Sequence, residues 1–573
     1  MSRRFAAALA LLASLLFFVA IGTFSLREPG LQYDEAFEGA IALEVLDGRE
    51  PRCAQSMRVL GHALPLMVHP HIGATSVYTS LVGLALVGPS VEGLRLSQLA
   101  VGAIALVLLF ALALTWFDVR AAAIAVLLCG SAPGFIWWSR GGANWTVPLL
   151  PATLACLLAL TLWWRRRRPL ALAVAAFCLG FGITTKILFV WLVLPALLTA
   201  MIAIGPRALR AALYTTSRAT LGFAVAALLL GLAPLIAYNV PEPRTFSAMR
   251  ANAGPNAWGH DNRRFVANVV QAASSYLALT DGEVQMATPD FGSPIGRAAF
   301  LLALVWVGAG VVRRGQREAT ADLASAATQD DTVARTFLVA VPLTVLPQSA
   351  FTTSVVSSTY TFLIVPLTWL LVAVLIADLT SPRHRGTTSR ATSRILRAIG
   401  LALLGLLLAN HVETNVDLLR FFARTGGYAQ WSDAIDRTTA IVEREHAAQP
   451  VVALDWGFAR NIELLTGLRR TVTEGHEFLP APSPRYVDSV QEFLQPGTIL
   501  LAHTDAVAMC RGCLATAQEA ASRRGVALAL RHAVHDREGH PHTEIYEVVR
   551  NAEVSTSGGE PGSGGTSTLL PAR

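Results

Sequence analysis

The chain alternates long apolar runs with short polar connections rich in arginine. Apolar runs cover 5–25, 72–88, 94–116, 121–138, 148–164, 170–186, 187–204, 219–238, 294–312, 336–352, 361–379 and 396–411. Roughly 20 apolar residues cross a bilayer as a helix, so the pattern predicts a polytopic membrane protein. The first run follows Arg3 and Arg4 and reads either as a span or as a signal peptide; in both cases the next segment emerges outside. From about 412 the pattern changes. Strand-like runs at 451–454, 498–502 and 543–549 alternate with helical periodicity at 431–446, 458–465, 486–494 and 506–523. This predicts a small external α/β domain with a largely parallel sheet. After Asn551 the chain is rich in Ser, Gly, Thr and Pro and is expected to be disordered.

Whether 72–88 spans the membrane reverses the orientation of everything after it, and charge decides between the two frames. If this run lies along the outer surface, Arg120, Arg165 to Arg168, Arg207, Arg210, Arg218, Arg313, Arg314, Arg317, Arg335, Arg383, Arg385, Arg390, Arg394 and Arg397 are cytoplasmic. Only Arg140 and Lys186 then occupy the short outer turns. Basic residues concentrate on the cytoplasmic side, so 72–88 is read as re-entrant or interfacial and the N-terminus as cytoplasmic. The expected fold is mainly α. A transmembrane helical domain with about eleven spans and external juxtamembrane helices covers 1–411, with external loops at 26–93 and 239–293. A soluble α/β domain covers 412–551, and 552–573 is the tail.

Composition agrees with the pattern. Hydrophobic residues make up 53% and charged residues 15% of 573, with a mean hydropathy of +0.48. Soluble proteins carry about 45–50% apolar and about 25% charged residues, so a purely soluble enzyme, a disordered chain and a nucleic-acid-binding module are excluded. The net charge of +7 comes almost wholly from arginine, because Lys186 is the sole lysine. Six cysteines are too few for a disulfide framework.

Candidate chemistry begins at Tyr33-Asp34-Glu35-Ala36, after which Phe37, Ile41 and Val45 recur every four residues up to Gly48. The spacing predicts an amphipathic helix lying flat on the outer leaflet. On spacing alone Asp34 can be merely its N-cap, with Glu35 and Glu38 favourably placed in the first turn.

Further short motifs follow in order: Leu86-Val87-Gly88-Pro89-Ser90 before Leu94-Arg95-Leu96, Ser131-Ala132-Pro133-Gly134 with Ser139-Arg140, and Gly182-Ile183-Thr184-Thr185-Lys186. Together with the acidic motif this set resembles the GT-C superfamily of membrane glycosyltransferases, in the branch of the protein O-mannosyltransferases and the lipid A aminoarabinose transferase. The resemblance implies a sugar donor carried on a polyprenyl phosphate and an acceptor hydroxyl on a glycan, lipid or protein. It also implies inversion, an acidic catalytic motif in the first external loop, and a bacterial inner membrane with the C-terminal domain periplasmic or extracellular.

In that frame Asp34 is the catalytic base with Glu35 as a supporting neighbour. Lys186, Arg140 and His71 are the candidates for binding the donor phosphate. Lys186 and Arg140 read equally as residues snorkelling to the interface. His69 and His71 stand where the aminoarabinose transferases carry an acidic-basic pair, a departure that speaks against a second acidic role here and favours a structural role for both. No metal site is read, since His-x-His without a third ligand is a weak signal, and a need for a divalent cation is left open. Arg244, Arg250, His260, Asp261, Arg263 and Arg264 read as solvated loop residues. Cys510 and Cys513 form a C-x-x-C that is either a local disulfide or two inert thiols. Asp455-Trp456-Gly457 ends a strand, a common ligand position in α/β domains, but no ligand motif accompanies it.

Two other functions are weighed. A transporter or lipid flippase with an external ligand-binding domain would place ionisable groups near mid-membrane, whereas here they fall at span ends. A sensor would leave the acidic first loop without a purpose. Within the enzyme class, an oligosaccharyltransferase is disfavoured because no Trp-Trp-Asp occurs.

Overall fold

A backbone in lipid must satisfy its own polar groups, and all eleven predicted spans are helical in the computed structural model. It describes residues 3–141, 145–256, 259–284, 291–318, 326–381, 390–477 and 482–551. The tail at 552–573, with Arg383 and Arg385, lies outside these residues. The first helices are α1 (Arg3–Thr23), α2 (Tyr33–Leu46), α3 (Thr75–Val87), α4 (Val91–Trp116), α5 (Val119–Ser131), α6 (Pro133–Arg140), α7 (Leu149–Arg166) and α8 (Pro169–Thr185).

Among the described residues seven helices are long and apolar enough to cross a membrane, or eight with α5 and α6, which meet at a 59° bend, taken as one. The remaining three expected spans are α7, which ends in two arginines, α8, with 17 residues, and Ala326–Ser349, which carries Pro342 and Pro347. The chain is an integral membrane protein. The 72–88 run divides into a strand, a turn and α3, whose 13 residues reach only roughly 20 Å against a hydrocarbon core of about 30 Å.

Two features hold the wall of the bundle that leads to Lys186. Arg167 adopts a left-handed conformation (φ 50°) and Pro169 opens α8, so α7 and α8 form a tight hairpin. Next, α8 packs backbone to backbone on Arg218–Asn239: a Cβ on Gly180 would come within 2.4 Å of the Leu228 carbonyl oxygen, and one on Gly231 within 2.6 Å of the Phe177 carbonyl oxygen. Small residues permit this approach, and Thr184 Oγ1 locks it by donating to the Gly231 carbonyl at 2.8 Å.

The first external loop holds a sheet that its sequence pattern does not announce. Strands β1 (Gln55–Val59), β2 (His62–His69) and β3 (Ile72–Gly73) run antiparallel, β1 and β2 being joined by Leu60-Gly61 with φ of 51° and 86°. Positive φ at both central residues is the hairpin turn that matches strand twist. Helix α2 does not lie on the leaflet as expected. Ten of its fourteen residues are buried, between α3 on one side and Ala459–Leu465 of the C-terminal region on the other.

The C-terminal sheet is mixed rather than largely parallel. Its strands are β4 (Val451–Ala453), β5 (Thr473–Glu474), β6 (Ile499–His503), β7 (Val526–His535) and β8 (Pro541–Arg550), in the order β5-β4-β6-β8-β7. The first three pair in parallel, while β8 and β7 add antiparallel; β5 and β7 are unpredicted. Cys510 and Cys513 form a disulfide. Asp455 accepts the backbone N–H groups of Trp456, Met509 and Cys510 and pairs with His503 Nδ1 at 2.8 Å, which fixes the loop leaving β4. Helix Arg390–Thr425 runs unbroken from the bundle into this region.

Candidate active site

Gln32, not Asp34, caps α2: its side-chain oxygen accepts the Glu35 N–H at 2.9 Å. Asp34 therefore stands in the first turn without a capping duty, part of its surface open and its carboxyl enclosed by protein. Burial raises that carboxyl to about 6, against the opposing pull of the Gln32 hydrogen bond and the Lys186 charge.

Glu38 shares the Asp34 face, four residues on. It is fully buried and accepts a hydrogen bond from Ser76 Oγ, and its Oε2 has no partner among the described residues. Burial pushes Glu38 well above the ordinary carboxyl range; Ser76 and Lys186 oppose this, and the Asp34 charge adds to it. Sequence reasoning gave Glu38 only a helix-start role, although the i,i+4 spacing from Asp34 was the signal that could have found it.

The Lys186 charge acts on both carboxylates. The residue ends α8 in an extended conformation, forms an antiparallel bridge with Ile72, and holds its Nζ 4.4 Å from the Tyr360 ring and 5.5 Å from that of Trp145. Both rings offer their π faces to the ammonium. His71 accepts the Ile187 N–H at its carbonyl (3.1 Å), and its Nε2 lies 3.2 Å from Thr353 Oγ1. His69 stacks on Phe37 at 5.2 Å. Burial, and then the Lys186 charge, lower His69 to about 4 and His71 to about 3, so both rings are neutral at pH 7.

A cavity of about 250 Å3 opens beside Lys186. His69, His71, Trp145 and Ser354 share its polar wall, while Ile187, Val190, Trp191, Met249 and Phe351 make the apolar one. A single cation at the end of an apolar recess suits a ligand with an anionic head and a hydrocarbon tail.

Arg140 and Glu35 go elsewhere. The Arg140 guanidinium is buried, donates to the carbonyls of Phe24, Ser25 and Glu28, and stacks on Trp137 at 4.8 Å. Glu35 forms a buried ion pair with Arg95. The structure thus places Lys186 and His71 in the wall of one cavity, puts Asp34 within range of the Lys186 charge but not in that wall, and leaves Arg140 and Glu35 out of it. Among the described residues no group of three or more His, Cys, Asp or Glu is arranged to hold a metal ion.

Residues 75–238 match the family model described as dolichyl-phosphate-mannose-protein mannosyltransferase. No curated protein matches the chain. Its fold is similar to that of the ArnT protein of Cupriavidus metallidurans, solved bound to undecaprenyl phosphate, with a TM-score of 0.57 at 12% identity over 93% of this chain and 97% of that one. It is also similar to the archaeal oligosaccharyltransferase AglB of Archaeoglobus fulgidus, with a TM-score of 0.50 at 14% identity over 87% of this chain and 69% of that one.

The fold is similar to that of these two membrane proteins. The segment that carries the pattern of the mannosyltransferase family includes Lys186 and Arg140, and it begins after Asp34.

Proposed function

We propose that the protein transfers a sugar from a polyprenyl-phosphate donor to an acceptor hydroxyl on the outer face of a bacterial inner membrane, with Asp34 as base and Lys186 binding the donor phosphate. The observation that carries this reading is that the sole lysine, whose charge acts on the enclosed Asp34 carboxyl, also lines a cavity whose other wall is apolar. The undecaprenyl phosphate in the ArnT structure and the dolichol-phosphate in the AglB structure support the same donor chemistry.

The step balances as one displacement. Asp34 takes the proton of the acceptor hydroxyl while its oxygen attacks the anomeric carbon on the face opposite the phosphate. The sugar–phosphate bond breaks and its electron pair leaves on the phosphate, whose charge Lys186 meets. A single attack from the opposite face inverts the anomeric centre. A carboxyl at about 6 is ionised at neutral pH and is a stronger base than an ordinary aspartate. The concentration of arginines on the connections at the far end of the helices supports an external site.

The test uses purified protein in lipid nanodiscs with a panel of undecaprenyl-phosphate sugars and fractionated membrane lipid, glycan and protein as acceptors. Release of undecaprenyl phosphate by the wild type, with its loss in Asp34→Asn, is expected. Equal release by Asp34→Asn overturns the assignment of the base, and no release from any donor overturns the reaction.

A further inference from the structure

We infer that the C-terminal domain is a working part of the transfer site, with Asn461 and Trp456 as positioning residues for Asp34. This rests on the reading of Asp34 as the base.

The segment that leads into α2, residues 25–32, has no regular structure of its own, so the entry of the helix is set by what grips it from outside. The bundle side holds it through Arg95 and Arg140. The other side is held by the C-terminal domain: the Gly426 carbonyl accepts the Gly30 N–H at 3.1 Å, Arg537 pairs with Glu28 at 2.7 Å, and the stretch 456–461 reaches the residues on either side of Asp34. Asn461 Nδ2 donates to the Leu31 carbonyl at 2.7 Å, the Trp456 ring lies 4.9 Å from that of Tyr33, and the Arg460 guanidinium lies 4.7 Å from the Phe37 ring. These contacts fall three residues before Asp34, one before it and three after it.

The grip is stiff. The Asp455 carboxylate fixes the loop that carries Trp456 by accepting three backbone N–H groups and pairing with His503. Arg460 is held by Glu463 at 3.0 Å and lies 3.6 Å from Glu44 on α2 itself, while Arg52 bridges Glu44 and Glu463. Asn461 adds the telling detail. Its side chain is fully buried, its bond to Leu31 is its only side-chain hydrogen bond among the described residues, and its Oδ1 is unpartnered. A buried amide left part-satisfied is costly, and the one bond it makes serves the loop before Asp34 rather than its own domain.

The experiment compares full-length wild type with Asn461→Ala, Trp456→Ala and the conservative Trp456→Phe in nanodiscs. Turnover is read with the undecaprenyl-phosphate sugar that supports it, and binding with undecaprenyl phosphate alone. A misplacement on the order of 1 Å costs about 100-fold, so kcat per folded molecule is expected to fall roughly 10- to 100-fold in both alanine variants, with phosphate binding by the folded fraction unchanged, the melting midpoint lowered only as loss of a buried contact requires, and Trp456→Phe close to wild type.

The pH profile is the readout that a merely structural contact would not move. Lys186, Glu38 and Tyr360, the ionisable groups that act on Asp34 or feel its charge from the elements around it, are intact in every variant. Water reaching a loosened Asp34 should move the acidic limb of kcat from about 6 down toward the ordinary aspartate range. Wild-type kcat and an unmoved limb in both alanine variants overturn the inference, as does a loss of turnover matched by equal losses of binding and melting midpoint. If Asp34→Asn is active, it is the base assignment that has failed; if Asp34→Asn is dead and both alanine variants are wild type, only the present inference has.

Discussion

Oε1 of Glu35 lies 2.6 Å from Nε of Arg95, and both side chains are almost wholly shielded from water. Arg95 spends its remaining donors on the carbonyls of Leu26, Pro29 and Gly30. The pair therefore ties the first turn of α2 and the loop before it to the start of α4. Removing one partner from a buried pair costs about 3–5 kcal/mol. Glu35→Ala should lower the melting midpoint in detergent clearly, while turnover per folded molecule stays near wild type. A stable Glu35→Ala protein without activity would move Glu35 into the chemistry.

Asp34→Asn tests the neighbouring carboxylate. Loss of a general base lowers turnover by about 100- to 10,000-fold, and Gln32 rather than Asp34 caps the helix, so folding should be unaffected. The pH dependence has a definite sign. Burial raises the Asp34 carboxyl to about 6 in the folded protein, so the base is lost as pH falls through that value, and the rate should decline below about 6. Stability runs the other way: a carboxyl raised by folding favours the folded state below its unfolded pKa, and this is lost as pH rises through about 6. Rate and melting midpoint measured together between pH 4 and 7 check both signs.

Lys186 and Arg140 should separate. A charge-assisted hydrogen bond contributes about 1.5–3 kcal/mol, so Lys186→Ala should weaken undecaprenyl phosphate binding roughly 10- to 100-fold. Arg140 is committed to three backbone carbonyls, so Arg140→Ala should lower the melting midpoint and leave binding by the folded fraction intact. Titration of both variants with undecaprenyl phosphate distinguishes them, and parallel losses of affinity would return Arg140 to the donor site.

The spans were legible because lipid restricts the backbone to helices and demands apolar side chains, which any sequence must display. The acidic motif was legible too, as a short pattern after the first span. Contacts between distant segments were not. The second face of α2 is covered by residues some 430 positions on, as in the Leu31–Asn461 bond, so an α2 that looked like a surface helix is an interior one. Strand β7 escaped notice because Arg531 and His532 interrupt its apolar alternation and much of it is exposed. The burial of Arg140 depends on where the turn after α1 passes, which local spacing does not encode.

Orientation can be checked by labelling. A cysteine at Arg168, in the α7–α8 turn, should react only with reagents admitted to the cytoplasmic side, and one at Gly48, after α2, only from outside. Both are best placed in a background with Cys53 replaced by serine. External labelling of position 168 would invert the frame and move Asp34 and the Lys186 cavity to the cytoplasmic face.

The scarcity of amines in this chain gives the site its own reporter. Apart from the α-amino group, Lys186 is the single nitrogen that an acylating reagent can modify, and it sits buried against two aromatic rings. Occupancy of the cavity can thus be followed, once the α-amino group has been blocked, as the rate at which one further mass increment appears on the protein, with no need to know which sugar is carried or where it goes.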